Sequence, residues 1–247
     1  VSNIFNNIEE KRKMRNEMLW AGMLIVNFLA ILFAYVRFGR IGLYIWIPIS
    51  TILANIQVVM LVDLFGFGTT LGNILYAGGF LVTDILAENY GREYAKRAVK
   101  IGFFSLIVMT VIMQIAVNFT PSDVEEGILT FNGVKRIFDF MPRIVIASLI
   151  SYWVSQSHDI WAYEKWRERF SEKKHIWIRN NMSTMVSQLI DNSLFTIIAF
   201  WGVYPKEVLL EIFITTYFMK FIVAVFDTPF VYIASHLKSK KKIHSLQ

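Results

Sequence analysis

The chain has 247 residues, 55% of them hydrophobic and 15% aromatic, no cysteine, and a formal net charge of +6 whose cations crowd into a few short stretches. Mean hydropathy of +0.47 at this length predicts an all-α, polytopic membrane bundle of about seven helices and leaves no room for a separate soluble domain. The lack of cysteine excludes disulfides, thiolate metal sites and cysteine nucleophiles, and does not identify the membrane.

In chain order, apolar segments are predicted over residues 18–36, 43–63, 70–88, 98–118, 141–162, 180–202 and 207–236. The first has no small-residue cleavage pattern after it and is read as a retained helix. The last is long enough to tilt or to end in a turn near Asp227-Thr228-Pro229, because proline removes a backbone donor and disfavours helix in the residue before it. These segments divide the chain into a basic N-terminal stretch with the first apolar segment (1–42), six further apolar segments (43–236) and a basic tail (237–247).

Alternate connections carry Arg37 and Arg40; Arg92, Lys96, Arg97 and Lys100; the run from Lys165 to Arg179; and the tail from Lys238. The positive-inside rule places that face in the cytoplasm. The opposite face holds the Phe65 to Thr70 turn, the acidic Asp123-Val124-Glu125-Glu126 loop and the Gly202 to Lys206 turn. Lys11-Arg12-Lys13 and Arg15 fall on the outer face in this topology and read as a headgroup-facing end, with no nucleic-acid partner implied.

Chemistry is carried by polar groups inside the apolar segments. Ser151-x-x-x-Ser155-Gln156-x-x-Asp159 recurs 32 residues later as Ser183-x-x-x-Ser187-Gln188-x-x-Asp191. A carboxylate at the centre of a membrane helix costs roughly 2.5 to 3.5 kcal/mol on insertion scales, so each should face protein, ligand, ion or water. Asp159 and Gln188 lie roughly 9 and 13 Å inside the basic boundary at helical rise, so the two antiparallel faces are expected to meet. Asp84 and Glu88 share one face near the same end, Glu88 being either functional or simply solvated or paired with Arg92. Lys220 is the expected counter-ion of Asp191 or Asp84. Arg143 is either an interfacial anchor or an outer-gate charge, and His158 beside Asp159 is a pH-responsive partner or a solvated side chain. Serines on membrane helices commonly serve packing, whereas carboxylates are costly for that purpose.

A membrane enzyme is the competing class. The chain contains no H-E-x-x-H, G-x-S-x-G or phosphate-binding loop, and its histidines are scattered at 158, 175, 236 and 244. No metal and no cofactor are called for.

Five ordered motifs resemble one family: Thr83-Asp84-Ile85-Leu86-Ala87-Glu88-Asn89-Tyr90-Gly91-Arg92; Pro142-Arg143-Ile144 with Ala147-Ser148; Ser155-Gln156-x-x-Asp159; Arg179-Asn180-Asn181-x-Ser183-Thr184 with Gln188 and Asp191; and Tyr217-x-x-Lys220 with Pro229. Together, over about residues 43–236, the chain is similar to the queuosine precursor transporters, also called the vitamin uptake transporter-like family. The resemblance implies uptake of 7-cyano-7-deazaguanine or 7-aminomethyl-7-deazaguanine across a bacterial inner membrane, by a six-helix core similar to the substrate-binding subunits of energy-coupling factor vitamin transporters. The alternative it implies is such a subunit itself, working with an energy-coupling module; with no nucleotide-binding motif in the chain, the driving force is otherwise a proton, sodium or substrate gradient.

The residues suit that ligand independently. A deazaguanine presents an N–H and an exocyclic amine that a carboxylate accepts bidentately, beside a carbonyl oxygen that needs a donor. The candidate substrate-binding set is Asp84, Glu88, Arg143, Gln156, Asp159, Asn181, Ser183, Gln188, Asp191 and Lys220, with Tyr152, Trp153 or Phe195 as stacking rings.

Overall fold

The computed structural model describes residues 2–139, 142–202, 205–240 and 243. Seven α-helices follow in order, α1 (Ser2–Gln57), α2 (Asn73–Tyr90), α3 (Arg92–Ala116), α4 (Glu125–Asp139), α5 (Pro142–Arg169), α6 (Ile176–Phe200) and α7 (Lys206–Ser239), with strands β1 (Leu61–Leu64) and β2 (Phe67–Thr70) between the first two.

The first two predicted segments are the arms of α1. They meet at Gly39, whose φ of 60° and ψ of −139° break the helical backbone. A Cβ on Gly42 would collide with the carbonyl of Ala34. In a straight helix those residues would stand about 12 Å apart, so the chain reverses sharply here. Farther along, Gln57 donates to the sulfur of Met23 across the two arms. α1 is therefore a helical hairpin, and its first arm is sewn into the bundle by Asn27 on the Ile74 carbonyl, by the Phe28–Phe230 ring contact and by Asn89 on the Tyr35 hydroxyl.

Two details depart from the sequence expectation. The second helical arm stops at Gln57, and the next residues form an antiparallel hairpin pairing Leu61 with Thr70 and Leu64 with Phe67. Its two-residue turn, Phe65-Gly66, has positive φ at both positions, the geometry that matches strand twist. The acidic loop opens into α4, an amphipathic helix that meets α5 at a 42° bend. α7 continues through Pro229 to Ser239, the longer of the two forms expected for it.

Three described helices are long and apolar enough to cross a membrane, Met14–Gln57, Arg92–Ala116 and Lys206–Ser239, and a fourth span results when α4 and α5 are taken together. α2 and α6 are diluted by the polar groups they bury. The outside of the bundle is apolar, with Leu19, Phe33, Phe104, Ile146, Trp153 and Phe218 all more than half exposed, while Asn27, Asn55, Thr83, Asp84, Asp159 and Asp191 are buried. Apolar outside and polar inside is the arrangement of a polytopic membrane protein, where lipid is the outer solvent.

Aromatic and guanidinium contacts gather one basic end: Arg40 lies over Tyr90 and Tyr94, Lys238 over Tyr90, and Arg167 donates to the carbonyl of Ala87. The β-hairpin, α4, Phe200 at the end of α6 and Val208 at the start of α7 gather at the opposite end.

Candidate functional site

Four helices converge on one ion pair. Lys220 of α7 donates to Asp191 of α6 at 2.5 Å, both side chains 5% exposed or less. The Tyr76 hydroxyl of α2 donates to the other oxygen at 2.7 Å, and Ser155 of α5 adds a hydroxyl at 3.3 Å. The Lys220 ammonium also sits 5.0 Å from the centre of the Tyr76 ring. The two repeated faces of α5 and α6 do pack together, antiparallel, with Ser155 on Asp191 and His158 on Ser187.

Beside the pair lies a cavity of about 50 Å³ lined by Asn55, Asn73, Asn192, Phe195, Thr196 and Thr216 as well as Tyr76, Asp191 and Lys220. Asn55 Oδ1, Asn192 Oδ1 and Thr196 Oγ1 are buried there without a hydrogen-bond partner. Buried polar groups are nearly always satisfied, so acceptors left open around one cavity mark a place for a polar ligand or water. Val58, Phe200, Ile212 and Thr216 form a wall shared with a larger vestibule of about 880 Å³, which continues past Asp63, Arg136 and Glu211 at the hairpin end. The cavity at the ion pair thus adjoins the vestibule on the side away from the basic end.

Toward the basic end the bundle is shut. Arg179, fully buried, donates to Glu88 at 2.7 Å and to the Phe170 carbonyl at 2.6 Å, and Tyr163 donates to the same Glu88 oxygen at 3.3 Å. Asn180 donates to Asp227 at 2.7 Å, Asn181 to Thr228 at 2.8 Å, and the Trp177 backbone N–H to the Tyr232 hydroxyl at 3.0 Å. These contacts join α2, α5, α6 and α7 across the whole section of the bundle.

The structure sorts the sequence candidates into groups. Asp191 and Lys220 line the cavity as a pair. Asp84 and Asp159 are buried facing one another, deeper toward the basic end, with Thr184 on Asp84 at 3.2 Å. Gln156 accepts from Thr83 at 3.3 Å, leaving its amide nitrogen without a partner, and Gln188 is buried with neither amide atom bonded. Ser183 bonds back to the Asn180 carbonyl. Glu88 takes Arg179, not Arg92, and Asn181 belongs to the closed end. Arg143 stands apart, exposed, donating to the carbonyls of Ile198 and Trp201 and so holding the end of α6. Of the three candidate rings, Phe195 lines the cavity, Tyr152 packs edge-on against Tyr76, and Trp153 is 61% exposed on the outer surface. Sequence reasoning missed Tyr76, Asn55, Asn73 and Asn192. The available signal was three amide side chains inside apolar stretches, costly positions unless they face a site.

The family model described as "Putative vitamin uptake transporter" matches residues 70–234. The chain is 40% identical over 226 residues to the "Probable queuosine precursor transporter" of Bacillus subtilis (strain 168), covering 91% of this chain and 96% of the relative. It is 25% identical over 203 residues to the "Queuosine precursor transporter" of Escherichia coli (strain K12), covering 78% and 87%. No solved structure matches. The matched region holds both residues of the ion pair, the buried Asp84 and Asp159, and the contacts that close the basic end. The chain belongs to the vitamin uptake transporter family, among the relatives named queuosine precursor transporters.

Proposed function

We propose that the protein imports queuosine precursors, 7-cyano-7-deazaguanine and 7-aminomethyl-7-deazaguanine, across a bacterial inner membrane as a secondary carrier, with the basic end in the cytoplasm. The names of the bacterial relatives support the substrate class. The observation that carries the mechanism is the Asp191–Lys220 pair, buried at the head of a vestibule that opens away from the basic end.

The guanine-type edge fits that pair. Asp191 accepts from the ring N–H and the exocyclic amine, and Lys220 donates to the neighbouring carbonyl oxygen, so that a carboxylate and an ammonium read three adjacent groups in order. Asn55, Asn73 and Asn192 supply amide contacts to the remaining edges, and Phe195 offers a ring to the flat base. Adenine presents an amine where the carbonyl belongs and would set donor against donor at Lys220. A site built this way rejects such analogues strongly, because its buried groups are left unpaired. Import then requires the closed contacts around Arg179 and Glu88 to part while the vestibule wall at Val58, Phe200 and Ile212 closes.

Thermal stabilisation of the detergent-purified chain by the two deazaguanines, with guanine and adenine as controls, tests the assignment. Ligand that binds the folded state raises its apparent stability by about 2.7 kcal/mol at a hundredfold excess over Kd. A shift with a deazaguanine, absent with adenine and absent in Asp191→Asn, is the expected result. An equal shift in Asp191→Asn removes the carboxylate from the site, and no shift with any deazaguanine removes the substrate.

A further inference from the structure

A second polar cluster lies between the ion pair and the closed basic end, and transport of a base alone gives it no task. Asp84 of α2, Asp159 of α5 and Asp227 of α7 are each 1% exposed or less. Asp84 and Asp159 face one another, the charge of Asp159 bears on both Asp84 and Asp227, and that of Asp227 bears on Asp84. Among the described residues none of the three forms an ion pair, since the buried cations Arg179 and Lys220 pair with Glu88 and Asp191. The charged and titratable groups of the surrounding elements are already engaged: Glu88 of α2 and Tyr163 of α5 with Arg179 of α6, Asp191 of α6 with Lys220 of α7, and His158 of α5 with Ser187. Among the described residues three buried carboxylates are therefore left over once Arg179 and Lys220 are paired.

A second observation is independent of the acids. Gln188, 1% exposed, lies on the α6 face between Thr184, which bonds Asp84, and Asp191, and neither its amide nitrogen nor its oxygen has a partner. Asn180, whose nitrogen bonds Asp227, is fully buried with its oxygen unpartnered. The hydroxyls of Ser183, Thr184 and Ser187 face Asp159, yet neither of its oxygens holds a well-formed hydrogen bond. The site thus has more polar atoms than it satisfies internally.

From this juxtaposition we propose that Asp84, Asp159 and Asp227 form the proton-coupling site of the carrier, loading protons from the vestibule side and releasing them at the basic end. The inference rests on the carrier reading above and adds its driving force. Uncompensated carboxylates cannot all be ionised side by side in a dry interior, and two that face each other share a proton, as paired acids do in other buried sites. Gln188 links the cluster to the substrate pair, and the Asn180–Asp227 bond links it to the closed end, so a change of proton count is felt at both. No bond other than O–H forms or breaks, and the proton leaves the outer solvent and enters the inner one.

The test uses the full chain in proteoliposomes with labelled 7-cyano-7-deazaguanine, comparing accumulation driven by an acidic exterior with exchange at equal pH. A gradient of one pH unit should sustain about tenfold accumulation per proton carried. Asp227→Asn, isosteric and able to keep its bond from Asn180, is expected to lose that accumulation while exchange stays within about twofold of wild type, a change of less than about 0.5 kcal/mol. Asp159→Asn should lose the accumulation as well, and the thermal shift with ligand reports that each variant is folded. Accumulation by both variants equal to wild type overturns the proposal, as does wild-type accumulation that follows a sodium gradient or neither gradient. Absence of both binding and exchange in wild type would instead overturn the substrate reading, so the two failures are distinguishable.

Discussion

Lys220 and Asp191 meet at 2.5 Å with almost no exposed surface, and Tyr76 and Ser155 donate to the other oxygen of the carboxylate. Breaking a buried pair from one side strands a charge in a low-dielectric interior, at a cost of about 3–5 kcal/mol, whereas removing both charges is far milder. Lys220→Met should lower stability by an amount of that order, and Asp191→Asn combined with Lys220→Met should recover most of it while remaining unable to bind a deazaguanine. Thermal unfolding of the three proteins with and without ligand checks both halves. A double variant that still binds would show that the pair is a structural fastener. The second repeat carboxylate, Asp159, has the same sequence neighbours as Asp191 but faces Asp84 and has no ammonium. Identical local pattern therefore yields two different electrostatic environments, because the partner helices differ.

At the scale of elements, the sharp reversal of α1 depends on Gly39, whose backbone lies in a region open to glycine and strained for other residues. Gly39→Val should cost about 1–3 kcal/mol. Gly22→Ala, on an exposed stretch of the same element with nothing within 4 Å of the added carbon, should be neutral or gain about 0.5–1 kcal/mol. Chemical or thermal unfolding of the pair in one detergent measures the contrast, and equal effects would mean that the reversal is set elsewhere. The hairpin of β1 and β2 and the amphipathic α4 belong to the same scale. Both lie at the end where the vestibule opens, and Asp63, Gly68, Thr69, Gly133 and Arg136 line it.

For the whole molecule, the geometry defines two ends of unequal access. The cavity and the vestibule lie on either side of a shared wall, while Arg179, Glu88, Tyr163, Asn180 and Asp227 close the basic end. Because the chain has no cysteine, single thiols can be introduced without background. Val208→Cys, in the vestibule, should react with a membrane-impermeant maleimide added outside intact cells and be protected by a deazaguanine. Ser239→Cys, exposed at the basic end, should react only after permeabilisation. The reverse pattern would invert the orientation.

The amino-acid sequence by itself determined the solvent, the helical class, the basic end and the roster of costly intramembrane groups, because hydropathy and charge act locally along the chain. It also indicated that Lys220 would answer a buried carboxylate and that the two repeated faces would meet. What only the tertiary structure decided is which groups stand together: Asp191 with Lys220 and Tyr76, Glu88 with Arg179, and Asp84 with Asp159 and Asp227. Tyr76 and Asp191 are 115 positions apart, and Glu88 and Arg179 are 91 apart. Pairing over such distances is set by helix packing and rotation, which local periodicity does not encode, and the free energy of each buried charge depends on the neighbour that packing supplies.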